Sequence, residues 1–160
     1  MRKLTLTVIA VSGAAAFSAA SVATASTKTE HFTLITTSTI AGQPVYSVIA
    51  TGAFIDGGTA THEGKGGLRL HLSSGTITLD GKRQHPRITK TETGTACMQT
   101  ASTSISYTIA QGTGAYKGIS GSGRATDNDT FVEQVVHGDC TSNFAAAQGI
   151  ITASGAVSLP

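Results

Sequence analysis

Charged side chains are scarce in this sequence. Lysine, arginine, aspartate and glutamate together make up 12% of its 160 residues, and the spaced pairs of opposite charge that stabilise surface helices are lacking. No stretch is basic enough for a nucleic-acid partner; the densest cluster is formed by Lys82, Arg83, Arg87 and Lys90, which we interpret as a solvated strand-and-turn surface. The low charge therefore argues against a helical protein and against nucleic-acid binding.

Sequence motifs for metal binding are lacking as well. No His-x-His or His-Glu-x-x-His arrangement occurs among the five histidines, which are His31, His62, His71, His85 and His137. Isolated histidines in a β protein are more often surface residues than metal ligands. We therefore expect neither a metal site nor a cofactor.

The first 25 residues have the pattern of a secretory signal peptide. Arg2 and Lys3 give a charged start, residues 4–20 are apolar or small, and residues 23–25 form a small-x-small cleavage site. The alternative, a membrane anchor, is weakly supported because the segment is rich in alanine and serine. We expect cleavage after Ala25 and one secreted, extracellular domain over residues 26–160. No membrane insertion of that domain is expected, since no later stretch is apolar enough to cross a bilayer.

The signal peptide also accounts for the net charge. The whole chain has eleven basic and nine acidic residues, and removal of Arg2 and Lys3 leaves nine of each. The secreted domain is thus formally neutral, and the basic balance of the whole chain indicates export rather than a binding partner. The low charge does not indicate disorder, because hydrophobic residues make up an ordinary 39% of the chain.

The sequence contains two cysteines, Cys97 and Cys140. In an exported chain, two cysteines most simply form one disulfide bond. In the chain-entropy model, a bridge over a loop of this length stabilises the fold by roughly 4 kcal/mol. The alternatives, a pair of metal ligands or a catalytic thiol, would need neighbouring ligands or bases that the sequence does not show.

Polar and apolar residues alternate with a period of two along most of the secreted domain. The predicted strands cover residues 31–37, 44–55, 67–72, 76–79, 87–92, 97–109, 130–136 and 144–159. Turns are predicted at residues 42–44, 56–58, 73–75 and 80–81, and a polar loop is predicted at residues 127–129. About eight strands with short loops predict a closed antiparallel barrel, which at this size is either filled by side chains or holds one small ligand.

Residues 111–124 form the most distinctive segment. It contains Gly112, Gly114, Tyr116, Gly118, Gly121 and Gly123. So many glycines do not suit a helix, and they favour a tight connection that leads into a bent strand, with Tyr116 as its anchor against the core. The segment is not a P-loop, because Lys117 is followed by Gly118. It is not a nucleophile elbow either, because Ser122 stands where the last glycine of that motif belongs.

The run from Gly112 to Gly123 resembles the glycine signature of the allene oxide cyclase and dirigent-like β-barrels. It resembles most closely the small secreted bacterial proteins of that superfamily, most of which have no assigned function. The resemblance implies an all-β, eight-stranded antiparallel barrel with a hydrophobic cavity, in which a reactive small molecule is held while it closes or couples. It covers this run alone, so no catalytic residue of the superfamily is carried over.

Glu133 is the first candidate for a catalytic acid or base. If Phe131 and Val135 face the barrel interior, Glu133 lies inside with them, and its carboxylate then needs a partner or a raised pKa. Alternatively, the even-numbered neighbours face inward and Glu133 is solvated. The candidate partners, which are also the candidate ligand-binding residues, are Arg69, His71 and Arg124. Arg69 and His71 alternate with three leucines, so they are expected on the outer face.

Three functions are consistent with these observations. The leading hypothesis is a non-catalytic, disulfide-closed barrel that binds a small hydrophobic molecule or acts as a surface module. The first alternative is an isomerase or cyclase of the allene oxide cyclase or dirigent type, which needs an inward ionisable group at a cavity. The second alternative is a structural or adhesive extracellular protein, whose barrel would be packed solid. Whether the barrel is hollow or filled therefore separates the hypotheses.

Overall fold

The computed structural model describes residues 26–40, 43–64, 66–93 and 96–160; the predicted signal peptide, residues 1–25, lies outside the described residues. The described residues form nine strands: β1 (Thr27–Ile40), β2 (Gln43–Gly52), β3 (Asp56–Glu63), β4 (Gly67–Leu72), β5 (Gly75–Arg83), β6 (Arg87–Thr93), β7 (Ala96–Gly112), β8 (Ser120–Val136) and β9 (Asp139–Ser158). A short 3₁₀ helix, Gly114–Tyr116, joins β7 to β8. None of the helices in these ranges is long and apolar enough to span a membrane.

Eight of the strands close into an antiparallel barrel. Strands β1 to β5 pair in sequence order, β5 pairs with β7, and β8 and β9 follow before β9 returns to β1. Strand β6 is additional, because it pairs with the first part of β7 while β5 pairs with the second part. The predicted all-β, eight-stranded barrel is therefore confirmed, with one strand more than the barrel needs.

Alternation along the strands fills the barrel with apolar side chains. The largest fully buried ones include Phe32, Leu34, Val48, Leu70, Ile77, Ile151 and Val157. On β7 the alternation places Ile105 and Tyr107 in the core, where both are buried. A cavity of only about 30 Å³ remains in the middle of the barrel, and its lining is mostly apolar, with Arg83 as its one charged residue. This part of the barrel is therefore packed nearly solid.

The glycine-rich connection closes one end of the barrel. Tyr116 is buried, its ring centroid lies 4.8 Å from that of Phe54, and its hydroxyl donates a hydrogen bond to Asp56 Oδ2 at 2.5 Å. Gly114 has a φ of +60°, and a Cβ there would lie 2.5 Å from the carbonyl oxygen of Ser74. The predicted tight connection with Tyr116 as its anchor is therefore confirmed, and this end of the barrel has a lid of aromatic side chains.

Three segments that were predicted to be turns or loops lie within strands. Residues 56–58 begin β3, residues 80–81 lie inside β5, and residues 127–129 lie inside β8. The glycines in the first two segments serve close approach of neighbouring backbones: a Cβ at Gly58 would lie 1.9 Å from the carbonyl oxygen of His71, and one at Gly81 would lie 2.5 Å from that of Gly66. The first two predictions were wrong because Gly58 and Gly81 occupy crowded strand positions. The third was wrong because Asp127 and Asp129 continue the alternation of β8.

Beyond the barrel, β6, the start of β7, the end of β8 and the start of β9 continue as an extension of the sheet. The predicted disulfide is confirmed: Cys97 on β7 and Cys140 on β9 are bonded, with their Cα atoms 5.5 Å apart. Since β8 lies between these strands, a flat sheet would separate them by about 10 Å. Two register shifts in the pairing of β8 with β9, around Glu133, bend the hairpin so that the bridge can form.

Candidate functional site

A cavity of about 350 Å³ lies at the barrel mouth that faces the sheet extension, opposite the end closed by Tyr116. Its lining comes from β1, β2, β3, β5, β8 and β9 and consists of Thr36, Pro44, Tyr46, His62, Arg83, Asp127, Asp129, Phe131, Ala147, Gln148 and Gly149. The cavity combines apolar walls with several ionisable groups. It lies directly above the solid part of the barrel, so it is a cup rather than a channel.

Strand alternation brings the ionisable groups into this cup. On β8, Asp127 and Asp129 follow Ala125 at steps of two residues, and the buried Ala125 belongs to the core. In the same way, Tyr46 precedes the buried Val48 on β2, and His62 follows the buried Ala60 on β3. Inward-facing positions thus change from apolar to polar at a similar height on several strands.

The most buried charged group of the cup is Asp127, whose side chain is 4% exposed. Its Oδ2 accepts from Arg83 Nη1 at 3.1 Å, whereas its Oδ1 is buried and has no hydrogen-bond partner among the described residues. Burial raises the pKa of Asp127, and the positive charge of Arg83 opposes that rise. One carboxylate oxygen in the cup is therefore left in need of a donor.

Asp129 lies one inward position further along β8. Burial raises its pKa, the nearby Asp127 raises it further, and Arg83 opposes both effects. Its side chain covers Gly149 on β9, since a Cβ at Gly149 would lie 2.5 Å from Asp129 Oδ1 and 3.0 Å from Thr36 Oγ1. Gly149 thus leaves the space that the Asp129 carboxyl group occupies.

Across the cup, Tyr46 Oη and His62 Nε2 are 3.1 Å apart, and their rings meet edge to face. Burial, with the charge of Asp127, raises the pKa of Tyr46 to about 12. Burial and the charge of Arg83 lower the pKa of His62 below 6.5. Both groups are therefore neutral at pH 7. The hydroxyl of Tyr46 and Nε2 of the neutral His62 ring are within hydrogen-bond distance of each other.

This arrangement of side chains is suited to binding a small molecule and to transferring protons. Its lining includes one guanidinium and two carboxyl groups, with a tyrosine–histidine pair and the apolar side chains of Pro44 and Phe131. Carboxyl groups whose pKa values are raised by burial, as those of Asp127 and Asp129 are, are suited to general acid or base chemistry. Metal binding has less support: the described ranges contain no group of three or more histidine, cysteine, aspartate or glutamate side chains able to hold an ion.

The candidate ligand-binding residues Arg69, His71 and Arg124 do not line the cup. All three are exposed on outward-facing strand positions, Arg69 and His71 on β4 and Arg124 on β8. Arg69 forms an ion pair with Glu63. The outward position of Arg69 and His71, which their alternation with leucines predicted, is confirmed.

The catalytic candidate Glu133 is buried, at 6% exposure, as in the inward alternative. Phe131 is half-buried beside it on β8, but Val135 is 42% exposed, because the register shifts after Val132 and again after Glu133 interrupt the alternation. Glu133 lies in the sheet extension and is not among the residues that line the cup. The structure therefore does not bring it together with Arg69, His71 or Arg124.

The site residues that the sequence interpretation missed are Arg83, Asp127, Asp129, Tyr46 and His62. Arg83 was assigned to a solvated surface, and the two aspartates were assigned to a polar loop. The signal that was available is the period of two from Ala125 through Asp127 and Asp129 to Phe131. It places both carboxyl groups on the same face as a small apolar residue and an aromatic one.

Comparisons with known proteins add no relative to this picture. No protein-family model, no curated protein and no solved structure matches the chain. The function is therefore argued from the cup and from the barrel that carries it.

Proposed function

We propose that the protein is a secreted binding module that holds one small amphipathic organic molecule in the cup at the mouth of its barrel. The observation that carries the proposal is the cavity of about 350 Å³, with apolar walls and convergent polar groups. Small-molecule sites in proteins have this character and typically span about 300–1,000 Å³. A solid structural or adhesive barrel would not need such a cavity.

The shape of the interior limits the size of the ligand. Below the cup the barrel narrows to a mostly apolar cavity of about 30 Å³, which is too small for an organic ligand. The ligand therefore sits in the cup, with its apolar part against Phe131 and Pro44 and its polar part near Asp127 and Asp129. This differs from the hydrophobic ligand expected from the sequence, because the lining carries charge.

The resemblance of Gly112–Gly123 to the allene oxide cyclase and dirigent-like barrels supports this proposal. We propose that the chain is a member of that superfamily, and that it uses the barrel to hold a small molecule as the resemblance implies. The pattern of residues 1–25 supports export of the protein. The observed disulfide agrees with export, because such bonds persist in oxidising surroundings.

A matched pair of variants tests whether the cup binds small molecules. Ala147 lines the cup, whereas the adjacent Ala146 faces the other side of the sheet, where it pairs with the exposed Val132. Ala147→Trp fills the cup and Ala146→Trp leaves it open. The measurement is a nuclear magnetic resonance screen of the secreted protein with small aromatic fragments that carry a hydroxyl, an ammonium or a carboxylate group.

We expect some of the fragments to shift the amide signals of the cup residues on β8 and β9. These shifts should disappear in Ala147→Trp and persist in Ala146→Trp. Binding that is unaffected by Ala147→Trp, or that maps to the outer surface, would remove the proposed function.

Catalysis in the cup is the second candidate function, as an isomerase or cyclase. It is favoured by the raised pKa of Asp127 and Asp129 and by the Tyr46–His62 pair. The structure makes Asp129 a better candidate acid or base than Glu133, because Asp129 lines the cavity. If a bound molecule is converted, Asp129→Asn should reduce kcat by a factor of about 100 or more, whereas Glu133→Gln should leave kcat within about twofold. The opposite ranking would move the chemistry to Glu133.

A further inference from the structure

We propose that the ligand of the cup is an organic cation, a small amine with an aromatic or otherwise apolar body, whose ammonium group is held by Asp127 and Asp129. The inference rests on the proposed function, since it names the ligand class of the same cavity. It follows from the charge of the lining, from one unpartnered oxygen and from the aromatic walls.

The charges of the ionised side chains that line the cup do not sum to zero. Asp127 and Asp129 are acidic, Arg83 is the basic group among the lining residues, and His62 is neutral at pH 7. The ionised cup therefore carries one excess negative charge. The guanidinium of Arg83 is already engaged with Asp127 Oδ2. An anionic ligand would meet two carboxylates and a cation that is already paired, so its binding is disfavoured.

The unpartnered oxygen favours a ligand that donates a hydrogen bond. Asp127 is 3% exposed, and its Oδ1 is a buried acceptor with no donor among the residues described. An ionised carboxylate can only accept, so the group that satisfies this oxygen is a donor. An ammonium group is the strongest such donor, because a charge-assisted hydrogen bond is about twice as strong as a neutral one.

The second carboxyl group and the aromatic walls favour the same class. Asp129 occupies the next inward position of β8, so an ammonium group at Asp127 Oδ1 also meets a second negative charge. Tyr46 and Phe131 line the same cavity, and aromatic faces attract cations as well as apolar bodies. An organic cation fits better than a metal ion, because the protein offers two carboxyl groups but no larger set of metal ligands in its described ranges.

The test compares three molecules of similar size that differ in the polar group. They are 2-phenylethylamine, which is cationic at pH 7, neutral 2-phenylethanol and anionic 3-phenylpropanoate. Dissociation constants of the secreted protein are measured by calorimetry or by chemical-shift titration. We expect the amine to bind about tenfold or more tightly than the alcohol, and the acid to bind weakest.

Two aspartate variants and one control connect the preference to the site. Asp127→Asn and Asp129→Asn should each weaken amine binding about tenfold and should weaken alcohol binding by a smaller factor. Asp127→Asn loses the ion pair with Arg83. If that variant does not fold, the comparison of Asp129→Asn with the native protein still tests the inference. The control Asp80→Asn makes the same chemical change at an exposed position of β5 and should bind all three molecules like the native protein.

The outcomes separate this inference from the proposed function. Tighter binding of the alcohol or the acid than of the amine would overturn the cation and leave the binding cavity standing. Equal amine affinity of native protein and Asp129→Asn would overturn it as well. If none of the three molecules binds, the cation inference fails, and the fragment screen with Ala147→Trp decides separately whether the cup binds anything else.

Discussion

At the scale of single residues, a few buried polar atoms in the described part of the apolar interior lack hydrogen-bond partners. Tyr107 extends over two glycines, since a Cβ at Gly123 or at Gly155 would lie 2.6 Å from its hydroxyl oxygen. In the pairing register, Tyr107, Gly123, Gly155 and Glu30 form one row across four strands. Tyr107 Oη and Glu30 Oε1 are both buried without a hydrogen-bond partner among the described residues.

The unpartnered hydroxyl predicts an unusual gain of stability. Tyr107→Phe removes a buried polar group that makes no hydrogen bond, so we expect the free energy of unfolding to rise by about 1 kcal/mol. The matched control is Tyr116→Phe, which removes a made hydrogen bond to Asp56 and should lower the urea midpoint. Urea unfolding measures both variants. A clear loss of stability in Tyr107→Phe would show that its hydroxyl has a partner, such as a buried water.

Glu30 predicts how stability depends on pH. Burial raises its pKa above the ordinary value of 4.5, against opposing hydrogen bonds from the backbone. The folded state therefore holds the Glu30 proton more tightly than the unfolded state. The contribution of Glu30 to stability is fully present below pH 4.5 and is lost as the pH rises through the raised pKa.

We expect Glu30→Gln to unfold at higher urea concentration than the native protein at pH 7.5, and to differ little from it at pH 4. Glutamine keeps an oxygen that can accept the Phe54 amide hydrogen bond, which Glu30 Oε2 now accepts at 3.1 Å. Asp127 and Asp129, whose pKa values are also raised, should retain a residual slope of the same sign. Parallel stability profiles of variant and native protein would exclude Glu30 as a source of the slope.

Single residues also show what sequence reasoning can and cannot supply for the site. The inward position of Asp127 and Asp129 follows from the spacing between Ala125 and Phe131 once a strand is assumed. Their meeting with Arg83, Tyr46 and His62 does not, because it depends on the order and register of strands far apart in the chain. Barrel closure is what brings these residues into one cup.

At the scale of elements, glycine has two structural roles that the sequence alone does not distinguish. The hairpin at residues 73–75 was predicted correctly, and Ser73 and Ser74 lie between β4 and β5. Residues 56–58, predicted by the same rule, begin a strand instead. A glycine that turns the chain and a glycine that lets two strands approach look alike until the neighbouring strand is known.

Two adjacent glycines of β3 test this distinction. A Cβ at Gly58 would overlap the backbone of His71, whereas at Gly57 the nearest atom, the carbonyl oxygen of Val48, would lie 3.6 Å away. We expect Gly58→Ala to lower the free energy of unfolding by about 2 kcal/mol or more, and Gly57→Ala to change it by less than about 0.5 kcal/mol. Chemical denaturation measures the difference. Equal effects of the two substitutions would mean that β3 and β4 can move apart to admit a Cβ without any loss of free energy of unfolding.

At the scale of the whole molecule, two closures hold the fold together. Strands β9 and β1 close the barrel and leave no free edge within it, while the disulfide closes the sheet extension. The extension is less well packed than the barrel: Met98, Val132, Val136 and Phe144 are each at least 40% exposed. We therefore expect the barrel to be more stable than the extension.

The disulfide predicts a global and a local effect. Cys97→Ser combined with Cys140→Ser opens a loop spanned by a sequence separation of 43 residues, and should lower the free energy of unfolding by roughly 4 kcal/mol. Hydrogen exchange of the variant should increase most at residues 130–145, with β1 and β2 remaining protected. Uniform acceleration across all strands would show that extension and barrel unfold as one unit.

The solid floor beneath the cup has a kinetic consequence. Because the cup has a single opening, a bound ligand must leave through it before a second ligand can enter. Exchange of one occupant for another should then be limited by how fast the first leaves, at a rate that does not increase with the concentration of the newcomer. Binding should saturate at one ligand per chain. Any reaction in the cup would be inhibited by a product that dissociates slowly.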